Sequence, residues 1–72
     1  MWLDMLAKDE NSNPGGCPSV YFAEDGSLVV QGPLVHPDTH GNLENVLPGE
    51  GAVHIAPEVV IAAVATYQRR ST

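Results

Sequence analysis

The 72-residue sequence predicts a small α+β domain: an antiparallel sheet of three or four strands, a C-terminal helix packed on one face, and a short N-terminal helix. Three observations predict it. Ser19–Ala23 and Leu28–Gln31 are rich in strand formers and flank Asp25-Gly26, a strong short-range hairpin signal. Residues 57–69 open on Pro57 and Glu58, close on arginine, and hold an apolar run suited to a helix. The stretches between them are clusters of Gly, Pro and Asn, the chemistry of turns.

The elements follow in order. Residues 2–8 could form two helical turns, with Trp2, Leu3, Met5 and Leu6 giving apolar surface. A helix that short is ordered only when docked. Residues 10–18 (ENSNPGGCP) are loop. In the hairpin, a two- or four-residue loop centred on Asp25-Gly26 sets Tyr21 opposite Val30, Phe22 opposite Val29 and Ala23 opposite Leu28. One face then carries Tyr21, Ala23, Leu28 and Val30; the other carries Val20, Phe22 and Val29 with Glu24 and Gln31. Both faces are apolar, whereas a half-solvated hairpin would show a polar second face.

Residues 32–42 read as a long excursion with a short extended piece at Leu34-Val35. Residues 42–47 and 51–55 are candidate strands joined by Pro48-Gly49-Glu50. In the C-terminal helix, Glu58 suits the positive end of the dipole, and Arg69 and Arg70 the negative end. Its body, Val59-Val-Ile-Ala-Ala-Val-Ala65, has no polar residue, and its valines leave a strand over 59–64 as an alternative. The chain divides into an N-terminal segment and loop (1–16), a sheet region (17–56) and the helix (57–70), all one domain. The helix covers one sheet face. The N-terminal segment or a second subunit covers the other.

Size and charge bound the function. A chain of 72 residues is near the limit at which one hydrophobic core suffices, and its single cysteine, Cys17, excludes an internal disulfide. One cysteine, no uninterrupted apolar stretch and no basic start to an apolar N-terminus predict a cytoplasmic protein that does not cross a membrane. The formal charge of −6, with only Lys8, Arg69 and Arg70 as cations, argues against direct nucleic-acid binding, which needs a basic face. The acids are scattered, as solubility alone produces.

Candidate chemistry is sparse. His36-Pro-Asp-Thr-His40 places two imidazoles and the carboxylate of Asp38 within five residues, and His54 could join them as a zinc site. That segment is a Pro/Gly loop with nothing to preorganise it. Cys17 has no neighbouring cation to lower its pKa and reads as a small hydrophobe. The glycine pairs lack the Gly-Lys-Ser/Thr of a phosphate loop, and no spacing marks a nucleophile with its base. The sequence therefore predicts no enzyme and no cofactor.

The run Cys17-Pro-Ser-Val-Tyr21, Asp25-Gly-Ser-Leu-Val-Val-Gln-Gly32, Gly49-Glu50, Val53-His-Ile55 and Pro57 resembles small uncharacterised actinobacterial proteins with the same core. More distantly it is similar to the BldB-like domains of unknown function. That resemblance implies a cysteine-led strand, a second strand, a short apolar strand and a final helix. It also implies a link to helix-turn-helix regulators and developmental control, in some members as dimers. The chain departs from the BldB-like pattern in having Val59 and Val60 where an early helix aromatic stands, and in a longer insert between Gly32 and Gly51.

The functional expectation is an interaction or regulatory module: a homodimer, or a partner of another protein such as a DNA-binding regulator. Trp2, Val20, Phe22, Val29, Ile61 and Tyr67 are its candidate contact residues. The alternative is a metal- or small-ligand-binding protein using His36, Asp38, His40 and His54.

Overall fold

The computed structural model describes residues 1–11 and 18–70. It contains strands β1 (Leu3–Lys8), β2 (Ser19–Ala23) and β3 (Leu28–Gln31), a one-turn helix α1 (Pro37–His40) and a long helix α2 (Pro57–Arg70). The strands form one antiparallel sheet in the order β1-β2-β3, which makes β2 central and the other two its edges. The three-stranded sheet, the C-terminal helix against it and the α+β class agree with the sequence. Cys17 and the turn at 13–16 lie outside the described residues.

The expected N-terminal helix is instead β1. A seven-residue helix gains few hydrogen bonds of its own, whereas the same residues laid beside β2 complete a ladder from Leu3↔Ala23 to Lys8↔Ser19. The end of that ladder is closed twice over. Trp2 N donates to the Glu24 carboxylate at 3.0 Å, and Glu24 N donates to Trp2 O at 3.1 Å. The register shifts between Met5 and Ala7, so Leu6 is the extra residue of a bulge. Leu6 and Ala7 consequently both reach the core that includes Val20.

The hairpin register differs from expectation by one residue. The pairs are Val20↔Val30, Tyr21↔Val29 and Phe22↔Leu28. Its loop is three residues long, Glu24 to Gly26, closed by Ala23 N donating to Ser27 O at 2.8 Å. Gly26 N donates to Ala23 O at 2.9 Å, and Gly26 takes φ 91°, a left-handed value that a side chain would strain. This is the type I turn with a glycine bulge, a common hairpin closure. Asp25 holds it, accepting from the Ser27 hydroxyl at 2.6 Å and from Ser27 N at 3.0 Å. Those two bonds favour the charged carboxylate and set its pKa below the usual value.

One residue of slip exchanges faces. Val20, Phe22, Leu28 and Val30 share the side on which α2 lies, and Ser19, Tyr21, Ala23, Val29 and Gln31 share the other. The core is Leu6, Val20, Val59 and Ala63, with Ala7, Phe22, Ile55 and Ala56 packed around it. Residues 59 and 63 are one helical turn apart, and the small Ala63 lets α2 approach β1 and β2 closely. At the far end Arg70 bonds Asp4 at 2.6 Å and lies 5.4 Å over the Phe22 ring. Core residues at one end and this pair at the other set α2 antiparallel to β1.

The fourth strand reduces to a single bridge, Leu34↔Val53, flanked by His54 N to Pro33 O at 2.9 Å and Val35 N to Ala52 O at 3.2 Å. Residues 42–47 form no strand. The segment after Pro33 turns instead into α1, where His36 Nδ1 accepts from Asp38 N at 3.2 Å as the N-cap.

Two outcomes test this arrangement. In an NMR titration the Asp25 carboxyl should protonate below the ordinary carboxylate range, and Ser27→Ala should raise its pKa. The turn's stabilisation is then present at neutral pH and lost as pH falls through that lowered value. Phe22→Ala, which removes the ring between Tyr67, Trp2 and Arg70, should cost about 3 kcal/mol in urea unfolding.

Candidate interaction surface

α2 lies across β1 and β2, and all four residues of β3 stay exposed. On the helix side this uncovers Leu28 and Val30. A right-handed helix running antiparallel to β1, with Val59 and Ala63 against the sheet, turns Val60, Val64 and Tyr67 toward β3. All three are exposed, and Tyr67 reaches Phe22 at 5.8 Å between ring centroids. The result is an apolar step, with β3 as its floor and one flank of α2 as its wall.

The opposite face has no helix. The N-terminal segment that could have covered it lies in the plane of the sheet as β1, so Leu3, Met5 and Val29 are exposed there. Tyr21, on the same face, donates from its hydroxyl to Gln31 Oε1 at 2.6 Å. This bond crosses from β2 to β3 on the open side.

The residues expected to make contacts are divided by this geometry. Val20 is 2% exposed and belongs to the core, so it is unavailable to a partner. Phe22 is half-buried beneath Trp2 and Tyr67, whose rings stand 6.5 and 5.8 Å from it. Trp2 and Tyr67 keep exposed edges, and Val29 lies alone of the original trio on the far face. Ile61 points away from the sheet at 69% exposure. Leu3, Met5, Leu28, Val30, Val60 and Val64 are surface residues that the sequence reading did not single out. The Leu3/Met5 alternation would have marked the first two; the register that places Leu28 and Val30 had no signal of its own, because loops of two, three and four residues all use Asp-Gly.

The histidines do not converge. Among the described residues no group of three or more His, Cys, Asp or Glu side chains could hold a metal ion. His36 Nδ1 is 3.5 Å from the Asp38 carboxylate and is already engaged as a helix cap, while His54 is held by its backbone beside Pro33. No helix among the described residues is long and apolar enough to cross a membrane. No protein-family model, no curated protein and no solved structure matches the chain.

Titration with zinc or nickel should release no heat and leave the His36, His40 and His54 NMR signals unmoved; a saturable shift of two of them together would establish a site.

Proposed function

We propose that this chain is a non-catalytic protein-interaction module of the cytoplasm that associates with itself and, through the paired form, with a partner protein. One observation carries the reading. Among the described residues the buried hydrophobics are Leu6, Val20, Ala23, Val59 and Ala63, whereas fifteen large hydrophobic residues are exposed. Scattered apolar surface residues are ordinary, but here Leu28 and Val30 on β3 lie beside Val60, Val64 and Tyr67 on one flank of α2. The radius of gyration, 13.4 Å, also exceeds the roughly 11 Å expected of a compact chain of this length. A core this small stabilises a domain weakly, and burying the same surface against another chain is a usual remedy.

We further propose a regulatory setting, in which a partner rather than this acidic chain, with three cations against nine acids, contacts DNA. Sedimentation equilibrium at micromolar concentration should give twice the 7.6 kDa chain mass. A mass of one chain up to several hundred micromolar would refute self-association.

A further inference from the structure

We infer that the outer edge of β3 is the docking site, and that its occupant is β3 of a second copy, added antiparallel to make one six-stranded sheet. This rests on the self-association proposed above and specifies the surface that performs it.

The backbone directions come from the ladder. Ala23 N donates to Ser27 O, so Ala23 and Ser27 form a hydrogen-bonded pair. Antiparallel pairs alternate, which makes Tyr21↔Val29 a bonded pair and Phe22↔Leu28 and Val20↔Val30 non-bonded ones. The amides and carbonyls of Leu28 and Val30 therefore point away from β2, along the open edge. Leu34 continues the pattern, because its bridge to Val53 is made by the flanking residues Pro33 and Val35. Its side chain is 79% exposed.

The two edges of the sheet are not equivalent. β1 carries the devices that discourage strand addition: a bulge at Leu6 and the charges of Asp4 and Lys8. β3, Leu-Val-Val-Gln, has no charge, no proline and no register shift. An edge of that kind is a template for another strand.

Charge and symmetry select a second copy. A chain of net charge −6 would meet a basic partner through its acids, but β3 offers none. Two copies can approach there without confronting carboxylates, since the paired stretch is neutral on both. Antiparallel pairing of one strand with itself is two-fold symmetric and closed, consuming the open edge of each chain. With Val29 facing its own copy, Leu28 exchanges bonds with Val30 of the other chain, and the two pairs of Leu28 and Val30 side chains join into one floor. A stable interface buries about 800 Å² per partner, about a seventh of the 5376 Å² surface of this chain.

The test combines mass with amide exchange. Val30→Pro removes an outward amide and Leu28→Lys sets a charge on the helix-side floor beside that edge; neither removes a backbone hydrogen bond to β2. Both variants should fall from two chains to one in sedimentation, with unchanged far-UV circular dichroism. In the unaltered protein, exchange of the Leu28 and Val30 amides should slow at least tenfold as concentration rises through the dimerisation midpoint, while Val29 stays slow throughout. A dimer that survives both substitutions, or whose Leu28 and Val30 amides exchange equally fast at all concentrations, overturns the edge assignment alone. A monomeric unaltered protein overturns the self-association reading with it.

Discussion

The structure depends on the contact of Val59 and Ala63 with Leu6 and Val20. Among the described residues this is the buried centre of the helix–sheet contact. Everything else is arranged around how narrow that contact is. An α-helix is about 10 Å across, and a three-stranded sheet is about as wide, but α2 sits over β1 and β2 rather than centrally. The offset is set at one end by the bulge that brings both Leu6 and Ala7 to the helix side. At the other it is set by Arg70, which ties the last helical turn to Asp4 on β1. A half-exposed ion pair adds at most about 1 kcal/mol, so its role is to fix direction more than to stabilise.

The displacement of α2 toward β1 decides which apolar surface stays exposed. β1 is both covered and defended, while β3 is left bare on two faces and along its edge. The aromatic group of Trp2, Phe22 and Tyr67 closes the β1–β2 end of the helix–sheet contact and leaves the β3 end without an equivalent. Exposed apolar residues on β3 and on the Val60–Val64 flank are thus a single surface, made continuous by where the helix lands.

Much of the fold was legible in the sequence. Asp25-Gly26 announced the hairpin because few residues tolerate the φ of 91° that the turn demands. Pro57, Glu58 and the terminal arginines announced α2, including its polarity, because the dipole rewards those charges at those ends. The register was not legible. Loops of two, three or four residues share the same Asp-Gly signal, and the choice among them turned on the hydrogen bonds of Asp25 with Ser27. That choice moved Val20 and Phe22 under the helix and Val29 to the far face.

The sequence by itself determined the hairpin signal, the start and polarity of α2, a net charge of −6 and a single cysteine. Those properties are local or additive, so residue identity suffices to read them. Only the tertiary structure decided which surface stays open. Residues 2–8 satisfy helix and strand patterns alike, and became a strand because β2 supplied hydrogen-bond partners from a distance. With that segment in the sheet rather than over it, Leu3, Met5 and Val29 stay partly exposed. The open face follows from a pairing between residues eleven to twenty positions apart, which no local pattern encodes.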